Sequence, residues 1–213
     1  MTQPSAARRT PEPRFPPHRP ATYSRSRGGW TVVPETTEPD RQLLRPGLRL
    51  VIAGTTGRGR QPAQFYAGPG NRFWELLHAG GLVAERLDPE HAERLPALGI
   101  GLTDLVIERV QRIGHEPEMH IHRGPFDTAI RWVAPQVVAF VSKTAATWYA
   151  RGAGERLPRG YGELDWTVAG VPGFVLPGPS GANNGMSLAL RTALWSDLAD
   201  FLEASGAPAL SRS

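Results

Sequence analysis

Three short apolar runs, each ending in a small or polar turn, constrain the fold of this 213-residue chain most strongly. The runs are LRLVIAG (48–54), QVVAFVS (136–142) and GFVLPG (173–178). Strands that are apolar on both faces are typical of parallel sheets covered by helices. We therefore predict an α/β fold, a three-layer α/β/α sandwich around a central, mostly parallel, four-stranded sheet. Ligands of such sheets bind beyond the carboxyl ends of the strands, where GTTGRGR, SKTAA and GPSGANN lie.

The segments between these runs have helical periodicity. Four of them predict helices, at 71–81, 88–99, 143–152 and 186–205. Asp88 and Pro89 suit the N-cap and first positions of the second. A further helix is expected to end before Pro135, LDWTVAG predicts a strand, and LTDLVIE (102–108) fits either a strand or a loop.

The formal charge of the chain is concentrated at its N-terminus. Residues 1–47 contain eight arginines, four acids and nine of the 21 prolines, whereas residues 48–213 contain 16 basic and 16 acidic side chains. A segment of this composition buries little apolar surface, so we expect a flexible basic arm over 1–47, a domain over 48–205 and a short tail over 206–213. Such an arm either adds salt-dependent affinity for DNA phosphates or solubilises the chain.

The absence of cysteine excludes disulfides, cysteine-ligated zinc and cysteine-ligated iron–sulfur clusters. No apolar run approaches the roughly 18 residues of a membrane span, and the N-terminus lacks a secretory h-region. We expect a cytoplasmic monomer without metal or other cofactor. The histidines and glutamates of the segment 115–122 form the only candidate metal cluster, and the stretch is expected to lead into a helix instead.

The glycine loop after the first strand nearly fits the template of nucleoside-triphosphate-binding loops. It departs where that chemistry resides, because Arg60 replaces the phosphate-binding lysine and Gln61 replaces the hydroxyl residue that ligates Mg²⁺. Backbone N–H groups of a glycine loop still suit an anion, and Arg58 and Arg60 add positive charge. The loop residues themselves therefore predict an anionic ligand or a plain turn, and the strings described next favour a nucleic-acid backbone or base as the ligand.

Four distinctive strings follow one another along the chain: YAGPGNRFWELLHAGGL (66–82), LGIGLTDLVIERVQ (98–111), VVAFVSKTAATWY (137–149) and LPGPSGANN (176–184). In this order they resemble the motifs of the uracil-DNA glycosylase superfamily. The likeness is greatest to its mismatch-specific uracil/thymine branch and its hypoxanthine branch. The pattern differs at three positions: Thr56 replaces the water-positioning Asn of the first motif, Gly178 replaces the Asn or His before Pro-Ser, and Ala182 replaces the bulky wedge.

The resemblance implies roles for individual residues. Asn71 and Thr56 would be the catalytic groups that hold the water, and the Asn71 amide could also read a base edge. Their structural alternatives are helix capping for Asn71 and a turn position for Thr56. Tyr66, with Phe65 as fallback, would stack on the base unless it belongs to the core. The remaining base-binding positions are Gly54, Thr55 and Gly178, and the DNA-binding positions are Arg58, Arg60, Lys143, Ser180, Gly181, Asn183 and Asn184.

The resemblance also implies a reaction. A monofunctional glycosylase would flip uracil out of DNA, hydrolyse the base–sugar bond and leave an abasic site for base excision repair. One alternative is a weakly catalytic protein that binds damaged or abasic DNA. The other is a glycosylase for hypoxanthine or another deaminated purine.

Overall fold

The computed structural model describes residues 22–26, 29–33, 43–56, 63, 65–110, 118–121, 123–180 and 185–206. The chain divides into two compact units, Met1–Thr36 and Thr37–Ser213. In the first unit, strands β1 (Thr22–Ser26) and β2 (Gly29–Val33) pair antiparallel, so part of the predicted arm forms a hairpin.

The second unit contains six strands, β3 (Leu50–Thr56), β4 (Ile100–Val110), β5 (Glu118–Ile121), β6 (Val137–Val141), β7 (Gly162–Val168) and β8 (Val171–Leu176). They form one sheet with the order β5-β4-β3-β6-β8-β7. The neighbours β4, β3, β6 and β8 are parallel: the three apolar runs form β3, β6 and β8, and the segment 102–108 lies in a strand. Because β5 and β7 extend the sheet antiparallel at its two edges, it has six strands and not the predicted four.

Helices cover both faces of this sheet. They are α1 (Phe73–Ala79), a 3₁₀ helix (Pro89–Leu98), α2 (Arg123–Val133), α3 (Lys143–Ala153) and α4 (Leu188–Ala204). Alternation along β3 separates two cores: Leu50 and Ile52 pack with α1, α4 and the 3₁₀ helix, whereas Val51 and Ala53 pack with α2 and α3. The predicted α/β/α sandwich is confirmed.

Two details of the elements differ from the sequence expectations. The helix after Asp88 is 3₁₀ rather than α, and the Asp88 side chain makes no capping hydrogen bond. Pro96 lies inside this helix, and proline removes a backbone donor that an α-helix would use. Leu43 and Leu44 are buried in the two cores, so the folded domain begins before residue 48.

A buried polar network joins α2 and α3 on the second face. The Tyr149 hydroxyl donates to Asp127 Oδ1 at 2.8 Å and accepts from the Ala169 backbone N–H at 3.2 Å. Arg123 Nε lies 2.9 Å from the other oxygen of Asp127. Burial first, and then the hydrogen bond to the Asp127 carboxylate, raise the pKa of Tyr149 above its usual value. Among the described helices, none is both long and apolar enough to cross a membrane.

Candidate active site

The candidate site lies at the carboxyl end of the sheet, where the parallel strands β3, β4, β6 and β8 all end. The polar turns predicted to bind a ligand follow three of these ends. Because the four strands run in the same direction, their carboxyl ends bring these turns together.

Gly54 occupies a tightly enclosed position near the end of β3. It is paired in parallel register with Asp104 of β4. A Cβ atom on Gly54 would lie 2.6 Å from Asp104 Oδ1 and 2.8 Å from the Tyr66 hydroxyl oxygen. Both distances are shorter than a van der Waals contact, so a side chain at this position would displace the Asp104 carboxylate and the Tyr66 hydroxyl, which are neighbours above the Gly54 Cα.

Tyr66 presents a half-buried aromatic ring at this point. One ring face stacks on Phe73 at a centroid distance of 3.9 Å and an interplanar angle of 10°. The backbone of Tyr66 has φ +56°, a left-handed conformation that is uncommon for a bulky residue. Such strain persists where the surrounding structure fixes a side chain in one orientation, and this is typical of binding sites.

Phe65, the fallback for base stacking, is fully buried in the core on the α1 side. Its carbonyl accepts a hydrogen bond from Trp74 Nε1 at 3.2 Å. No face of the Phe65 ring is accessible to a base, so the assignment of this residue to base binding is corrected to a core role. Adjacent residues in an irregular turn point in different directions, and the sequence alone does not say which ring faces the site.

Asn71 lies one residue before Arg72, the N-cap of α1, and its side chain bonds the first N–H of the helix, a local role close to its structural alternative of N-capping. Its Oδ1 accepts a hydrogen bond from the Phe73 backbone N–H at 3.0 Å, and its own N–H donates to the Gly68 carbonyl at 3.1 Å. The hydrogen bond to Phe73 uses only the oxygen of the amide. The Nδ2 group of this partly exposed side chain retains two donors, and they suit a carbonyl oxygen of a ligand.

The second motif is tied directly to the start of α1. The Arg72 backbone N–H donates to the Pro179 carbonyl at 2.9 Å, next to Asn71 in the chain. Gly178 is buried, and Ser180 is exposed. The hydrogen bond therefore places the Pro-Ser turn beside the segment that carries Tyr66 and Asn71.

Lys143 is exposed and begins α3 just after β6, at the same carboxyl end of the sheet. Its ammonium lies 4.9 Å from the centroid of the Tyr161 ring, and this cation–π contact offsets the unfavourable helix dipole. A phosphate is therefore not required to explain a lysine at this position. The preceding residue, Ser142, caps α3 by accepting from the Ala145 N–H at 3.3 Å.

Several predicted site residues lie outside the described part of the chain. This applies to the side chain of Thr56, whose backbone ends β3, and to Arg58, Arg60, Gly181, Ala182, Asn183 and Asn184. The side chains of the histidine–glutamate segment 115–122 also lie outside it. Thr55 is described, half-buried and paired with Leu105. Within the described ranges, no group of three or more potential metal ligands occurs.

Two buried charged residues near the carboxyl end of the sheet were not predicted from the sequence. Asp104 is only 4% exposed and Arg191 only 8% exposed, although both lie within regular elements. Asp104 interrupts the apolar segment LTDLV on the strand beside the first motif. Arg191 precedes Trp195 by one helical turn, and that spacing could have marked it as core-facing.

The chain also matches a family of known proteins. The model of the family described as "Uracil DNA glycosylase superfamily" matches residues 42–199 of the chain, which is more than half of its length and includes both motifs. This match supports a DNA glycosylase type of function, the hydrolysis of a base–sugar bond. The chain belongs to the uracil DNA glycosylase superfamily.

Proposed function

We propose that this protein is a monofunctional uracil-DNA glycosylase. The observation that carries the proposal is the assembly of Gly54, Asp104 and Tyr66 in one small space, with Asn71 and the Pro179 turn held beside it. An aromatic face, amide donors and a buried carboxylate are the groups that excision of a planar base requires. The motifs that resemble the family contain no catalytic lysine nucleophile, so we propose that water is the attacking group.

Binding begins with extrusion of the base, which costs a few kcal/mol in a duplex. In this proposal the base stacks on the face of the half-buried Tyr66 ring opposite Phe73, because Phe73 already covers the other face. Gly54 leaves room for this approach, since any side chain there would fill the space in front of Asp104 and the Tyr66 hydroxyl. Ser180 is exposed and suits a hydrogen bond to the DNA backbone.

Hydrolysis then proceeds through a state with positive charge on the sugar. The C1′–N1 bond breaks, and its electron pair leaves with the uracil, whose oxygens become more negative. The Asn71 Nδ2 donors stabilise this charge at a base carbonyl. The water oxygen bonds to C1′, and the Asp104 carboxylate accepts the water proton and stabilises the positive sugar. Asp104 thereby replaces the amide that Thr56 lacks.

The proposal is tested with purified protein and oligonucleotides that carry one uracil, hypoxanthine or xanthine, single-stranded or paired. Alkali and heat convert each abasic site into a strand break. We expect breaks at uracil, and we expect Asn71→Ala to lower the single-turnover rate by about 100-fold with little change in DNA affinity. Thr56→Ala measures any contribution of that hydroxyl.

Other outcomes replace the proposal with a specific alternative. Breaks only at purine lesions would assign the protein to deaminated purines. Tight binding of uracil DNA or abasic DNA without any break would assign it to damage recognition. Wild-type rates in both Asn71→Ala and Asp104→Asn would refute the mechanism while keeping the activity.

A further inference from the structure

Helix α4 carries a buried arginine in its core-facing stripe. The stripe runs through Arg191, Trp195, Leu198 and Leu202, and the last three are fully buried. Arg191 is 8% exposed, and its Nε and Nη1 atoms have no hydrogen-bond partner among the described residues. No carboxylate of the described residues lies within ion-pair distance of it. A guanidinium remains charged at every physiological pH, so the burial of its donors calls for an acceptor.

The position of Arg191 on α4 directs it toward the candidate site. Trp195 lies one turn further along the helix, and its ring packs edge-on against Phe73 at a centroid distance of 5.5 Å. Phe73 in turn stacks on Tyr66. Residues four apart share a helix face, and helical side chains lean toward the N-terminus. By this general geometry we expect the Arg191 side chain to extend from this aromatic group toward the start of α4, the helix that follows the Pro-Ser turn in the chain.

The same helix terminus attracts anions for a second reason. The Ser187 side chain caps α4 by accepting from the Leu190 N–H at 3.2 Å. This bond satisfies one of the first N–H groups of a 17-residue helix, and the positive end of the helix dipole remains. A buried cation and a helix terminus directed at one place favour a negatively charged oxygen there.

We propose that Arg191 binds a phosphate oxygen of the damaged strand next to the flipped nucleotide, an inference that rests on the proposed function. The DNA would supply the acceptor that the described residues do not provide. In the absence of DNA, Arg191 is a buried charge without a partner among those residues, and we expect it to lower stability. In the complex, it forms a charge-assisted hydrogen bond to the backbone and secures the nucleotide in the site.

The test compares Arg191→Met with Arg131→Met. Arg131 is an exposed arginine in the last turn of α2, close to the Val133 carbonyl that accepts from the Gly47 N–H at 3.0 Å. Because Gly47 precedes β3, Arg131 lies toward the amino end of the parallel strands, away from the candidate site. The two variants lose the same formal charge. The readouts are the urea midpoint without DNA, and the Kd for uracil DNA and for DNA with an abasic-site analogue at several salt concentrations.

We expect Arg191→Met to keep or raise the urea midpoint and to weaken binding of both DNAs by about 10- to 100-fold. The slope of log K against log salt should decrease in magnitude by about one, and Arg191→Lys should recover part of the affinity. Arg131→Met should bind both DNAs as the wild type does.

Three results would overturn the inference. One is equal DNA affinity of Arg191→Met and Arg131→Met, and another is a clearly lower midpoint of Arg191→Met without DNA. A loss limited to the rate of uracil release, with abasic DNA still bound normally, would assign Arg191 to the departing base instead of a phosphate. A wild-type protein that neither binds nor cleaves these DNAs would refute the proposed function. A wild-type protein that does both, together with one of the three results above, would refute only the role of Arg191.

Discussion

Replacement of Ser142 by glycine should stabilise the domain, although it removes a helix cap. Ser142 has φ +113° and ψ 149°, a region of backbone space that only glycine visits readily. Strain of this kind costs about 1–3 kcal/mol. Loss of the cap to glycine costs a few tenths of a kcal/mol, and the greater entropy of unfolded glycine costs about 0.5–1 kcal/mol. The net effect of Ser142→Gly is stabilisation by about 1 kcal/mol, or a Tm increase of roughly 2–4 °C.

Ser187 provides the matched control. It caps α4 through the same kind of bond, to the Leu190 N–H at 3.2 Å, but its backbone is unstrained at φ −61° and ψ 154°. Ser187→Gly therefore has both costs and no relief of strain, and should destabilise the domain by about 1 kcal/mol. Urea denaturation measures both variants, and their difference isolates the backbone strain at Ser142. Equal destabilisation by the two substitutions would refute this reasoning.

Three further substitutions probe the buried network and the site. Tyr149→Phe leaves Asp127 and the Ala169 N–H each short of a partner and should lower the free energy of unfolding by about 2 kcal/mol in urea titrations. Because the pKa of Tyr149 is raised in the folded state, the stability that the neutral phenol contributes is complete below about pH 10. It declines as pH rises toward the raised pKa, and a wild type that shows the same alkaline decline as Tyr149→Phe would contradict this. Gly54→Ala should lower the single-turnover rate of uracil release by about 100-fold, because its Cβ would displace the Asp104 carboxylate. Asp104→Asn should lower that rate by about 100-fold while the protein stays folded by circular dichroism, and an unchanged rate would exclude the carboxylate from the reaction.

The fold was predictable where apolar periodicity is strong. The runs that became β3, β6 and β8 are apolar on consecutive residues, and only a sheet covered on both faces buries such strands. Edge elements gave weaker signals. Glu118–Ile121 contains no apolar run, and it forms β5 because it pairs with the outer side of β4. Pairing of this kind is a tertiary contact, and local sequence does not record it.

The candidate site residues that the sequence indicates lie in distinctive local sequences, and their functional roles stay predictions. Tyr66 and Asn71 belong to the segment before α1, Gly54 lies near the end of β3, and the structure places Tyr66 beside Gly54. Asp104 and Arg191 lie inside a strand and a helix, where charged residues are usually exposed. Their importance follows from burial, and burial depends on which face of each element the remainder of the fold covers.

Backbone strain alone does not identify the carboxyl end of the sheet as functional. Ala134 and Ala169 also have positive φ angles, of 48° and 53°, and both belong to connections between elements. This end of the sheet differs because three unfavourable features occur together. They are the left-handed backbone of Tyr66, the buried Asp104 carboxylate beside Gly54, and the buried Arg191 guanidinium. Apolar residues in place of Asp104 and Arg191 would usually stabilise the fold more. Under the proposed function, a flipped nucleotide offers a planar base to the Tyr66 ring, and its flanking phosphate offers Arg191 the anionic acceptor that the described residues do not supply.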